Sequence, residues 1–123
     1  MTRDRKMLGA AGEDAAARFL KSLGYKVLAR NYTSPVGELD LVCHHDDTIV
    51  FVEVKTLADD AAGDPEEHVN PAKQRQLARV ARAWLAAHRH PDCAYRFDVI
   101  SVVLRENAQP SIRHFVEAFI PNG

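Results

Sequence analysis

A mixed β-sheet with helices packed against it, an α/β (α+β) arrangement, is the fold class this sequence predicts. The hydrophobic pattern runs helix, three strands, helix, then one or two further strands, an order that layers helices on a sheet. Two of the strand segments, residues 49–55 and 95–104, are apolar on both faces for most of their length, as interior strands are. The chain has 123 residues, a one-domain length. It shows no internal repeat, so residues 1–123 read as a single domain.

The first helix is read over residues 9–23. Ala16, Phe19, Leu20 and Leu23 share one face, and Gly12 lies one turn earlier on that stripe, where it allows close packing. Gly24 is the expected C-terminal cap. Glu13 projects near the edge of the buried stripe, either as a helix-start acid or as a functional one. Residues 25–32 read as a strand centred on Val27 and Leu28, and Thr33, Ser34, Pro35 and Gly37 as a turn. In the next strand Leu39, Leu41 and Cys43 alternate with Glu38, Asp40 and Val42, which puts Glu38 and Asp40 on one face. A hairpin turn follows at residues 44–47.

In residues 49–55, Val50, Val52 and Val54 point one way, and Ile49, Phe51, Glu53 and Lys55 the other. Glu53 and Lys55 sit where one apolar face gives out, a costly place for charge unless it is paired or bound. Residues 58–68 have Pro and Gly and no period, and are expected to form a mobile loop. Asn70 caps the second helix and Pro71 occupies its first turn. Leu77, Val80, Ala81, Trp84 and Leu85 form its inward stripe, with Trp84 read as core. Residues 111–119 are the expected last strand.

Charge is segregated. Residues 1–30 carry +4, residues 31–70 carry −9, and residues 71–98 carry +4, within a formal net charge of −1. That balance excludes a wholly basic nucleic-acid binder but not a local basic face. Cys43 and Cys93 are too few for a disulfide scaffold, match no metal motif and are expected to be buried free thiols. No apolar run reaches the roughly 18 residues of a membrane span, and no signal-peptide region is visible. The expected compartment is cytoplasmic, with no membrane partner and no organic cofactor.

Glu13, Asp40, Glu53 and Lys55 are the candidate site. Asp40 and Glu53 lie on neighbouring strands joined by a short turn, so in register they share one coordination shell. Oxygen donors of this kind suit a hard divalent cation, Mg²⁺ or Mn²⁺, and phosphodiester cleavage is chemistry that such a cation and a nearby lysine support.

Gly37-Glu38-Leu39-Asp40-Leu41-Val42 followed by Phe51-Val52-Glu53-Val54-Lys55 resembles the core signature of the YraN family of small bacterial proteins. That family lies within the restriction-endonuclease-like, or PD-(D/E)xK, superfamily and is similar to archaeal Holliday junction resolvases. The likeness extends through Gly9-x-x-Gly12-Glu13, Arg30-Asn31-Tyr32, Lys73-x-x-x-Leu77, Arg96-Phe97-Asp98-Val99 and Ile112-x-His114. It departs at Leu57 and Ala62, where family members commonly carry a basic and an aromatic residue. The resemblance implies a restriction-endonuclease-like mixed central sheet flanked by helices. It puts metal ligands at Asp40 and Glu53, with the helix-borne acid Glu13 as an additional ligand, and the catalytic lysine at Lys55. It implies a Mg-dependent DNA endonuclease, with branched DNA as a candidate substrate. The alternative is a non-catalytic nucleic-acid-binding or adaptor protein that keeps the fold. Gln74 and Asp98 are candidate supporting residues, and Lys6, Lys73, Arg75 and Arg79 candidate nucleic-acid contacts. Action on a symmetric junction would further imply a homodimer.

Overall fold

The computed structural model describes residues 5–58, 69–90 and 93–121, with side chains from residue 7 onward. Five strands and two helices follow in the order α1 (Arg5–Ser22), β1 (Lys26–Ser34), β2 (Gly37–His45), β3 (Thr48–Leu57), α2 (Pro71–Ala87), β4 (Ala94–Val103) and β5 (Ser111–Phe119). The strands form one sheet in sequence order, β1-β2-β3-β4-β5. Pairing is antiparallel except between β3 and β4, which run parallel on either side of the α2 crossover. The result is a mixed five-stranded sheet with two helices, consistent with the restriction-endonuclease-like arrangement.

The element order agrees with the sequence pattern, and residues 111–119 are indeed a strand. The first helix differs at its start, beginning at Arg5 rather than near Gly9. Its end follows the expected device: Gly24 has φ +91°, its N–H donates to Lys21 O at 3.0 Å, and the Tyr25 N–H donates to Leu20 O at 3.0 Å. These two bonds close the helix in a Schellman motif. The Asn70 side chain accepts from the Lys73 N–H at 2.9 Å and starts α2. Asp46 and Asp47, both at positive φ, turn the β2–β3 hairpin. The loop expected at residues 58–68 lies, apart from Ala58, outside the described residues.

Each face of the sheet carries one helix. Ala16, Ala17 and Leu20 of α1 pack with Leu41, Cys43, Val50, Val52, Ile100 and Val102. Leu77, Val80, Ala81, Trp84 and Leu85 of α2 pack with Leu39, Val42, Ile49, Phe51, Phe97 and Val99. β3 therefore alternates as its sequence predicts, and Trp84 is core at 2% exposure. β2 does not alternate throughout: Leu39 joins the α2 cluster while Leu41 and Cys43 join the α1 cluster, so the strand changes sides at Asp40. Of the two free thiols, Cys43 is buried, which pushes its pKa up to about 12, while Cys93 is only partly buried, against expectation. Among the described residues no helix is long and apolar enough to cross a membrane.

Candidate functional site

Two glycines bring the site's elements together. At Gly37 φ is +145°, and a Cβ would sit 2.8 Å from Val80 Cγ2 and 3.0 Å from Gln76 Nε2. Only glycine suits both the backbone and the space, and the β1–β2 turn is thereby seated on α2, three residues before Asp40. At Gly12, a Cβ would collide with the side chain of Thr56. α1 can thus press on the end of β3, with Glu13 next in line.

The β2–β3 ladder ends at the Leu41–Val52 pair. Beyond it, Asp40 Oδ2 accepts the Val54 N–H at 2.8 Å, so a side chain satisfies a donor that the ladder has left free. The Asp40 and Glu53 carboxyl groups act directly on each other, and two carboxyls that close do not both ionise freely. Burial, and then the charge of Asp40, push the Glu53 pKa up to about 7. Glu53 is thus the member of the pair that keeps a proton toward neutral pH. Asp40 is itself raised by burial, against the opposing pull of the Val54 N–H, Lys73 and the Glu53 bond.

Lys73 Nζ stands 3.9 Å from Glu53 Oε1, and Lys55, exposed two residues beyond Glu53, also favours its ionised form. Glu13 is raised by burial and by Asp40, while Arg30 and a hydrogen bond from the Asn31 side chain pull it down. Its Oε1 is buried and has no hydrogen-bond partner. Among the described residues no three His, Cys, Asp or Glu side chains gather closely enough to hold a metal ion. Asp40 and Glu53 form a pair, with Glu13 near enough to feel Asp40 but outside the cluster. A close pair of hard oxygen donors still fits Mg²⁺ or Mn²⁺, since Mg²⁺ is commonly held by one or two carboxylates with waters and substrate phosphate filling the rest.

The model of the uncharacterised protein family UPF0102 matches residues 12–102 of this chain. The chain belongs to that family. It is the family whose signature the sequence resembles under the name YraN. A UPF0102 protein of Syntrophotalea carbinolica is 46% identical over 123 residues, covering 100% of this chain and 99% of its own. One from Geotalea daltonii is 44% identical over 116 residues, covering 94% and 91%. One from Geobacter sulfurreducens is 42% identical over 114 residues, covering 93% and 89%. The stretch that matches the UPF0102 model contains Glu13, Asp40, Glu53, Lys55 and Lys73.

The remaining predicted residues of this UPF0102 chain fall elsewhere. Gln74 donates from Nε2 to Val69 O at 3.0 Å, tying down the start of α2. Arg75 and Arg79 are exposed on the outer side of α2. The Lys6 side chain lies outside the described residues. Asp98 is fully buried in a separate network. It accepts from Arg96 Nε at 2.9 Å, His114 Nε2 at 2.8 Å and the Glu117 N–H at 2.9 Å, and touches none of the Asp40 group.

Two features are not visible in the sequence pattern. Lys73 reads as a candidate phosphate contact, yet its ammonium faces Glu53. Asn31, at φ +51° in the middle of a strand, turns its amide to Glu13. An asparagine between Arg30 and Tyr32 is the available signal, since Asn tolerates the left-handed region better than most residues.

Proposed function

We propose that this UPF0102 protein is a Mg²⁺- or Mn²⁺-dependent DNA endonuclease that hydrolyses phosphodiester bonds at the Asp40–Glu53 pair. The observation that carries the reading is two half-buried carboxyl groups set together at the end of a ladder, one held by the Val54 N–H and the other 3.9 Å from Lys73 Nζ. A purely structural pair of acids gains nothing from such an arrangement, because burial raises both and the charge of Asp40 raises Glu53 further.

Asp40 and Glu53 would hold the cation. When bound there it would supply polarisation of a phosphodiester oxygen and a lowered pKa for water. Glu53 must first release its proton, and Lys73 and Lys55 both favour that release. The Val54 N–H fixes one oxygen of Asp40, so the carboxylate need not reorganise when the proton leaves. Lys55, exposed at the rim, would orient the attacking water or stabilise charge developing on the phosphate. Glu13, with one unpartnered buried oxygen, would accept a hydrogen bond from water at the same centre. Branched DNA is the finer substrate reading, and a homodimer would supply the two sites that symmetric cutting requires.

The test is cleavage of labelled duplex, flap and four-way-junction DNA by the pure protein, with Mg²⁺ or Mn²⁺ and with chelator. Metal-dependent product from the wild type, and none from folded Asp40→Ala or Lys55→Ala, is the expected result. DNA binding with no product over a broad titration of metal and enzyme would instead make the protein a non-catalytic nucleic-acid-binding or adaptor protein.

A further inference from the structure

The segment Pro71–Ala87 contains Lys73, Arg75, Arg79 and Arg82 and not one carboxylate. In a chain with a formal net charge of −1, that makes α2 a helix of unbroken positive charge. The four cations do not share a side. Lys73 faces the sheet, with its ammonium 3.9 Å from Glu53 Oε1. At about 100° per residue, Arg75 lies roughly 200° farther round the helix. Arg79 and Arg82 fall within about 40° of Arg75 on the same projection, opposite the buried stripe of Leu77, Val80, Ala81, Trp84 and Leu85. All three arginines are exposed, and among the described residues no ion pair engages them.

We infer that this outward arginine stripe is a docking surface for the phosphodiester backbone of a DNA segment other than the one held at the carboxylate pair. The inference rests on the protein binding DNA, not on its cutting it. The three guanidinium groups are spaced along the axis by about 6 Å and 4.5 Å of helix rise, a scale that lets neighbouring arginines reach successive phosphates. Arginine presents a planar fork that matches phosphate oxygens two at a time, and every cation of the stripe is an arginine.

The chemistry of the face argues against an acidic protein as its partner. Protein interfaces are anchored by buried aromatic and large apolar side chains. Among the described residues the exposed large hydrophobic ones are Met7, Leu23, Leu28, Val36, Tyr95, Val116 and Ile120, none of them on α2. A positively charged face without an apolar anchor is the composition of a nucleic-acid contact. The stripe and Glu53 lie on opposite sides of one helix, so a backbone seated on the arginines is not the backbone at the acids. DNA that fills both must bend round α2 or present two segments.

The experiment measures binding of the full chain to a labelled 30-base-pair duplex by fluorescence anisotropy. Chelator is present throughout so that no cleavage occurs, and salt is varied. The test variant is R75A/R79A/R82A. The control is R18A/K21A/K26A, which removes the same charge from exposed positions near α1. Circular dichroism checks that both fold.

The expected result is roughly tenfold or greater weakening in the test variant at low salt. The plot of log affinity against log salt should be shallower by about 2 to 3, close to the counterion release of three phosphate contacts. The control should change the slope by less than one. An unchanged slope in the test variant, or an equal change in the control, would overturn the stripe while leaving the cleavage reading intact. Competition by polyglutamate as effective as that by unlabelled duplex would overturn it in favour of an acidic protein partner. No binding by the wild type at low salt would overturn it outright. The catalytic site is tested independently, by cleavage with the wild type but not with Asp40→Ala.

Discussion

Two aspartates in this sheet begin with the same trick and end in opposite states. Asp40 takes the Val54 N–H where the β2–β3 ladder stops. Asp98 takes the Glu117 N–H where the β4–β5 register slips between Phe97 and Val99. Each carboxylate thus replaces a missing backbone acceptor. The second partner is where they part. Asp98 is met by the Arg96 guanidinium and by His114, and Arg96 is steadied in turn by the Tyr25 hydroxyl at 2.7 Å. Asp40 is met by another acid. Burial would raise the Asp98 pKa, but its bonds from His114, Arg96 and Glu117 outweigh burial and hold it below the usual value. Burial leaves Glu53 and Asp40 both raised, helped by the charge of Asp40 at Glu53 and of Glu38 at Asp40. One centre has the positive charge it needs from the protein itself. The other has a proton where a cation would serve.

Removing each aspartate should therefore have unequal effects. Asp98→Ala strands a partly buried guanidinium, His114 and the Glu117 N–H, and should cost about 3 kcal/mol in unfolding free energy, enough to threaten folding in a marginal domain. Asp40→Asn keeps an acceptor for Val54 and ends the repulsion with Glu53, and should change the stability of the metal-free protein by less than about 1 kcal/mol. Urea denaturation of both variants measures the difference. Comparable losses would mean that the Asp40 pair is structural.

The framework of this contrast was legible in the sequence and its detail was not. The two-faced apolar runs of β3 and β4 announce interior strands, and Asn70-Pro71 announces the start of α2, because both signals are local. Asp40 and Glu53 could be paired by counting along a hairpin. The change of side in β2 at Asp40 could not, since it depends on the aspartate side chain capturing a backbone donor 14 residues away. Asp98 beside Arg96 reads as a candidate supporting residue, but its structural role does not, since only folding brings His114 to its carboxylate and Tyr25 to Arg96. Lys73 was readable as basic, but the direction of its side chain is set by how α2 docks.

The two centres should also respond to pH with opposite sign. Asp98 has a lowered pKa, so its contribution is present above the ordinary value of 3.8 and is lost as pH falls through the folded value. Glu53 is raised from 4.5 to about 7, so its contribution is present below 4.5 and is lost as pH rises through 7. In chelator, the unfolding free energy of the wild type should drop by on the order of 2 kcal/mol between pH 5 and pH 8 from this source. Glu53→Gln should abolish most of that drop. A drop retained in full by the glutamine variant would assign it to other groups.

A divalent cation should counter the drop at pH 8, where the pair is ionised. With 10 mM Mg²⁺ and a dissociation constant of about 1 mM, the gain is about 1.4 kcal/mol. It should be absent from Asp40→Asn and Glu53→Gln. Thermal unfolding with Mg²⁺, with Mn²⁺ and with matched ionic strength of Na⁺ separates specific binding from screening. An equal gain in Asp40→Asn would move the cation away from this pair.

The smallest expected effect tests the one positive charge that does reach the acid pair. Lys73 Nζ is 3.9 Å from Glu53 Oε1 and its side chain is 39% exposed, so solvent screens the contact and its worth is about 0.5 kcal/mol. Lys73→Gln should therefore lower stability at pH 8 only slightly and leave pH 5 almost unchanged, because at pH 5 Glu53 is protonated and offers the lysine little charge. The upper end of the pH window in which the Glu53 contribution is lost should move upward. Without the cation that eases its ionisation, the folded-state acid holds its proton to higher pH, and the total drop grows by the small amount lost at pH 8. Arg96→Gln in the other centre should behave differently, destabilising at pH 5 as well as at pH 8, because Asp98 is ionised at both. The pair of variants asks whether a cation beside an acid is needed to hold the fold, as Arg96 is, or only to make ionisation of the acid easier, as Lys73 is.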